Sequence, residues 1–140
     1  AALDAARDSE LRVAALLVDL DGFKSLNDRL GHAVGDVALI RWAERLRSVV
    51  GPADTVARIG GDEFLIVCPE IASIEDAITI ATRITELQVG PDSGGRDLRF
   101  TASVGIALAG NHETRASLIG RADASMYQAK ATGSGYALAP

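Results

Sequence analysis

Four acidic residues stand out for their chemistry in this 140-residue chain. Asp19 and Asp21 lie in Val18-Asp19-Leu20-Asp21-Gly22-Phe23-Lys24, at the end of an apolar run. Asp62 and Glu63 lie in Gly60-Gly61-Asp62-Glu63, between two short apolar segments. If the strand closing on Asp19 lies beside a hairpin whose tip carries Asp62, Asp19 and Asp62 meet at one end of a sheet. Carboxylates that close repel, and one takes up a proton unless a cation lies between them. Magnesium favours one or two carboxylates plus the phosphate oxygens of a substrate, which is the donor set on offer. Such a metal binds a triphosphate, and a second one activates an attacking hydroxyl. Alone, Asp-x-Asp reads as a turn or helix cap, and Gly-Gly-Asp-Glu as a hairpin turn. The pairing of the two, at the ends of neighbouring strands, is what points to a metal site.

Other residues fit around such a site. Gly22-Phe23-Lys24 leads into a helix, whose free backbone N–H groups favour phosphate, and Lys24 adds a positive charge. Asn27 carries an amide donor and acceptor and Asp36 carries acceptors, so together they match the edge of guanine, whose N1–H and N2–H₂ donate and whose O6 accepts. Taken singly, both read as helix-surface or cap residues. His32 reads as a residue that caps or packs a turn, Lys130 suits a helix C-terminus, and Cys68 reads as core.

The elements that must position these groups follow from periodicity. Ala1–Arg12 is rich in Ala and charge and reads as part of a helix. Val13–Asp19 reads as a buried strand. Phe23–Leu30 reads as a short helix stopped by Gly31, and Val34–Val50 as a longer one with Leu39, Ala43, Leu46 and Val50 on its apolar stripe. Thr55–Ile59 and Phe64–Cys68 form a hairpin across the Gly-Gly tip. A helix starts at Ser73, with Asp76 as capping partner, and runs to about Leu87. Val89–Arg96 reads as one exposed loop. Phe100–Leu108 is a strand, Ala116–Ala131 a helix with Leu118, Ala122, Met126 and Ala129 on one side, and Tyr136–Leu138 a short last strand. This order is α+β, with helices packed on a mostly antiparallel sheet of about five strands.

Composition narrows the partners. A net charge of -5 and the lack of a Lys/Arg run argue against long nucleic acids, not against nucleotides bound through a metal. No apolar run reaches membrane-spanning length, so no membrane contact is expected of this domain. The single cysteine rules out an internal disulfide and agrees with a cytoplasmic setting.

Five stretches in order resemble the GGDEF family of diguanylate cyclases. They are Asp19 to Asp28, Gly31 to Asp36, Ala57-Arg58-Ile59-Gly60-Gly61-Asp62-Glu63-Phe64, Ser103-Val104-Gly105-Ile106-Ala107, and Ala122 to Lys130. The resemblance runs from about Val13 to Gly133. It implies a fold of the nucleotidyl-cyclase and polymerase-palm type, ferredoxin-like in its sheet. It implies magnesium, or manganese in its place, held by Asp19, Asp62 and the Leu20 carbonyl. Glu63, Asp62 and Lys24 would be catalytic, with Glu63 assisting the metal or taking the proton of the attacking 3′-hydroxyl. Phe23, Lys24 and Lys130 would hold phosphates, Asn27 and Asp36 would read guanine, Leu39 would line the base pocket, and Gly61 would let backbone approach the nucleotide. The implied reaction condenses two GTP into cyclic di-GMP with release of pyrophosphate, in a homodimer whose copies each hold one GTP.

Three departures from the family pattern bear on function. Ser134 stands where the family has an arginine, four residues beyond Lys130. The family's product-inhibition pattern, Arg-x-x-Asp, is here Gly51-Pro52-Ala53-Asp54, so only Asp54 remains and no such site is expected. The family's signature upstream of the first strand is absent. The expectation is one domain over residues 1–140, shortened at its N-terminus and cut from a larger signalling protein with a sensor or phosphodiesterase attached, the cytosolic part of that protein. The alternative to an enzyme is a GTP-binding module that regulates such an attached domain. A third reading, a domain with no ligand, leaves the clustered acids unexplained.

Overall fold

The structure, a computed structural model, describes residues 11–91 and 93–140. The apolar run after Arg12 forms β1 (Arg12–Asp21), whose residues from Ala14 to Leu20 are all buried. Burial on both faces is what a continuous apolar strand requires, and β1 is accordingly central. It pairs antiparallel with β3 (Glu63–Ile71) on one side and β4 (Thr101–Leu108) on the other. β2 (Thr55–Arg58) flanks β3, and β5 (Tyr136–Leu138) lies parallel beside β4. The sheet order is β2-β3-β1-β4-β5.

The strand period of two sorts these residues onto two faces. Leu16, Val18, Leu20, Phe64, Ile66, Val104 and Ile106 join a large core under α1 (Phe23–Leu30), α2 (His32–Ser48) and α3 (Ile74–Thr85). Ala15, Leu17 and Ala107 join a smaller core under α4 (Arg115–Thr132), with Leu118, Ala122 and Met126. Asp19, Asp21, Glu63, Thr101 and Ser103 share the parity of this second set. The alternation that builds the core therefore brings the polar groups to the α4 side.

α2 is anchored by Trp42, whose ring centroid lies 5.2 Å from that of Phe64 and 6.4 Å from that of Phe100. The buried face of α2 is Gly35, Ala38, Leu39, Trp42 and Leu46. It is rotated from the expected stripe, because Ala43 and Val50 only border the core while Ala38 and Trp42 fill it. His32 is an exposed residue opening α2, and Gly31 occupies the cap without any side-chain bond, so His32 neither caps nor packs. The expected exposed loop Val89–Arg96 carries a buried anchor in Val89, which is 3% exposed, and Leu98 beyond it is fully buried. Asp92 of that loop, and residues 1–10 of the expected first helix, lie outside the described residues. Cys68 is buried in the core, and burial pushes its thiol up to about 12, so it is inert.

Ser73 caps α3, its hydroxyl accepting from the Asp76 N–H at 3.3 Å. Ser73→Ala is expected to lower stability by about 1 kcal/mol, read as a lower denaturant midpoint at unchanged slope.

Candidate active site

β1 and β3 run antiparallel in a register that sets Asp19 directly opposite Glu63. Asp62 precedes Glu63 on the hairpin tip, and its carbonyl accepts from the Leu20 N–H at 3.0 Å, tying the tip to β1. Arg58 closes the tip from the other side. Its Nε donates to the Gly60 carbonyl at 3.0 Å and its Nη2 to the Gly61 carbonyl at 2.8 Å. Held in this way, Asp19, Asp62 and Glu63 each offer one carboxylate oxygen, and the three oxygens lie within 4.8 Å of one another.

Three acids that close need a counter-charge, and α4 supplies one. Lys130 donates to Asp19 Oδ2, and its ammonium lies 3.8 Å from Asp21 Oδ1. Asp21 is itself fixed by hydroxyls of β4. Thr101 donates to its Oδ2 at 2.9 Å, and Ser103 Oγ lies 3.0 Å from both of its oxygens. Burial pushes the Asp19 carboxyl above the ordinary range; Lys130 pulls it back, while Asp62 and Asp21 push it further up. Burial also raises Glu63, helped by the charges of Asp19, Asp123 and Asp62. The bond to Asp19 raises Lys130. This donor set of oxygens around shared negative charge fits a hard divalent cation.

The titration has a definite sign. A carboxylate with a raised folded value binds more protons folded than unfolded, so stability falls as pH rises through the window above the ordinary values of 3.8 and 4.5 for Asp19 and Glu63. Asp97 and Glu113, held down by hydrogen bonds, act in the opposite sense and at lower pH. Without divalent ions, acidification from neutrality to just above pH 4.5 is therefore expected to raise the thermal midpoint. Magnesium should raise it too, by an amount that shrinks over the same window because loading must release protons. Thermal scans with magnesium and with chelator check both slopes.

The nucleotide-sized space lies on the other face of the sheet. α2 and the hairpin enclose a cleft of about 530 Å³, lined by Asp36, Leu39, Val56, Arg58 and Phe64 among others. Asn27 on α1 packs against Gly35, the neighbour of Asp36, and its buried Oδ1 has no hydrogen-bond partner in the protein. Phe23 is buried against Phe100 at 6.0 Å, leaving its backbone at the α1 N-terminus, and Lys24 is exposed. That N-terminus has neither a side-chain cap nor an acid in its first turn. Gly61 is exposed, with nothing near the place of a side chain. Ser134 Oγ lies 3.0 Å from Thr132 Oγ1 and donates to the Tyr136 carbonyl, so it is spent on the turn after α4. Asp54 closes its own turn by accepting from the Gly51 N–H at 2.7 Å.

Asp21, Thr101, Ser103 and Asp123 join the neighbourhood of the acids without having been assigned there from sequence. Strand parity could have found the first three, and the seven-residue, two-turn step from Lys130 back to Asp123 could have found the last.

Comparisons with known proteins show the family and the fold. Residues 1–135 match the family described as diguanylate cyclase, GGDEF domain. The bifunctional diguanylate cyclase/cyclic di-GMP phosphodiesterase MucR of Pseudomonas aeruginosa is 44% identical over 134 residues, covering 94% of this chain and 19% of MucR. The diguanylate cyclase TpbB of Pseudomonas aeruginosa is 42% identical over 132 residues, 92% of this chain and 30% of that protein. A solved structure of the GGDEF domain of TpbB superposes with a TM-score of 0.89 at 40% identity, covering 99% of this chain and 83% of that one. The chain belongs to the GGDEF domain family, a family of diguanylate cyclases. It spans less than a third of the length of these curated relatives. Among the described residues, no helix is long and apolar enough to cross a membrane.

Proposed function

We propose that this chain is the diguanylate cyclase domain of a larger bacterial signalling protein, with its active site facing the cytoplasm. The carrying observation is the convergence of Asp19, Asp62 and Glu63, with oxygens within 4.8 Å, at the tip of the hairpin whose strands line the cleft with Val56, Arg58 and Phe64. Asp19, Asp62 and the Leu20 carbonyl would hold magnesium or manganese. The ion, when bound, offsets phosphate charge and makes a hydroxyl easier to deprotonate.

The residues of the chain divide the remaining work. The backbone N–H groups of Phe23 and Lys24, with the ammonium groups of Lys24 and Lys130, hold phosphates. Asn27 and Asp36 read the guanine edge, and Leu39 forms an apolar wall for the base. Gly61 leaves room for the nucleotide against the hairpin. Glu63, opposite Asp19 across the β1–β3 pair, takes the proton of the 3′-hydroxyl. That oxygen attacks the α-phosphorus of a second GTP and pyrophosphate leaves; the same exchange in reverse orientation closes the ring. Two GTP thus give cyclic di-GMP and two pyrophosphates. Since each copy holds one GTP, two copies must meet face to face, and alignment of the pair is the step open to control. With Gly51 where the family has arginine, no strong inhibition by product through that site is expected.

Ser134 favours a second reading. Its hydroxyl is committed to the turn and cannot replace an arginine on phosphate, so the domain would bind GTP and regulate an attached domain without turnover. The two readings separate when the chain, fused to a dimerising segment, is incubated with GTP and magnesium and assayed by chromatography. Cyclic di-GMP supports the enzyme; GTP binding by calorimetry with no product supports the module; neither would discard both.

Specificity gives an independent check. Asn27→Ala is expected to weaken GTP binding about tenfold, the cost of a lost buried hydrogen bond, and to leave ATP binding unchanged. Equal affinities of the unaltered protein for GTP and ATP would refute guanine reading.

A further inference from the structure

We infer that Gly35 is the positioning residue for guanine recognition: by lacking a side chain it gives the Asn27 amide its seat. The inference rests on the reading of Asn27 as a guanine contact. α1 and α2 are joined by Gly31 alone, so the last turn of one helix crosses the first turn of the next. At that crossing, a Cβ on Gly35 would fall 1.6 Å from Asn27 Oδ1, 2.7 Å from its Cγ and 3.4 Å from its Nδ2. No two unbonded atoms share such space. Either Gly35 carries a side chain or Asn27 keeps this conformation.

Neither choice serves the fold. Gly35 is buried inside a helix, where glycine is a poor residue and alanine the best. Asn27 Oδ1 is buried with no partner, which is unfavourable until a donor arrives. Two adjoining positions that each break a local rule, with no hydrogen bond to compensate, mark a functional constraint. The clash is also selective. The atoms met are the end of the Asn27 side chain, not backbone, so a methyl at Gly35 is accommodated by turning the amide out of its seat. Gly35 thereby sets base specificity without touching the base, and Asp36, the next residue, keeps its place on the helix.

The test is a four-protein cycle on this chain: unaltered, Asn27→Ala, Gly35→Ala and the double variant. Dissociation constants for GTP and ATP are measured by calorimetry in excess magnesium, alongside thermal midpoints. Gly35→Ala is expected to hold or raise the midpoint, to lose about tenfold in GTP affinity as Asn27→Ala does, and to leave ATP affinity unchanged. The double variant should be no worse than either single one, because both remove the same contact. Gly35→Ala with intact preference for GTP, beside an Asn27→Ala that has lost it, overturns the inference and spares the guanine reading. A lowered midpoint in Gly35→Ala also overturns it, since the backbone and not the amide would have moved. Intact preference in Asn27→Ala removes the guanine reading, and this inference with it.

Discussion

Gly105→Ala is expected to cost about 3 kcal/mol or more of stability and about 10 °C in Tm, the upper range for overpacking a site that cannot relax. A Cβ on Gly105 would lie 1.9 Å from the Ala122 carbonyl oxygen, 2.3 Å from the Met126 nitrogen and 2.9 Å from its Cα. All three are backbone atoms of α4, so no side chain can swing aside. The helix must lift from the sheet, losing the packing of Leu118, Ala122 and Met126 on Ala15, Leu17 and Ala107. It also carries Lys130 away from Asp19 and Asp21, so the variant should lose phosphate binding even under conditions where it remains folded. Urea and thermal unfolding measure the first effect, GTP calorimetry the second. A Tm within about 2 °C of the unaltered protein, the range of an ordinary surface change, would contradict the close seating of α4 on β4.

Asp62→Ala is expected to abolish cyclic di-GMP formation, a loss of about 10³-fold or more, if several kcal/mol of charge stabilisation pass through the ion it would hold. The fold should gain. Asp62 is one of the charges that push Asp19 and Glu63 upward, and its removal relieves both. A dead protein with a higher thermal midpoint in chelator is the signature of a group kept for chemistry against stability. Loss of product accompanied by loss of fold would instead make Asp62 a structural residue. Undiminished product would take the metal site away from the hairpin tip altogether.

The legible parts of the fold were those in which one local signal decides. Phe23–Leu30 has the bounds read from its apolar spacing and from Gly31, and Tyr136–Leu138 matches as well. β1 extends two residues beyond Asp19, to Asp21, because β4 offers Ala102 and Thr101 as partners. β3 continues past Pro69 to Ile71, although proline argues for an end at Cys68. The strand tolerates it where the pairing with β1 slips between Ala14↔Cys68 and Arg12↔Ile71, a place where no ladder donor is needed. The α2 stripe was misplaced because the face of that helix is chosen by Trp42 lying on Phe64 and Phe100, residues distant in sequence. The meeting of Asp19 with Asp62 and Glu63 could be anticipated from two motifs at the ends of adjacent strands. The pairing of Lys130 with Asp19 could not, since it needs the knowledge that α4 covers the face on which odd-numbered β1 residues point.

That pairing bears on how a divalent ion would enter the cluster. Lys130 bonds Asp19, one of the three clustered carboxylates, so the cluster already holds a monovalent cation at one of its members. Uptake of a divalent ion would then be a swap of tenants: the lysine tip would leave Asp19 for Asp21, 3.8 Å away and braced by Thr101 and Ser103. The same movement would release the ammonium from Asp19, so that the arrival of an ion and of a polyphosphate would be coupled in a single exchange.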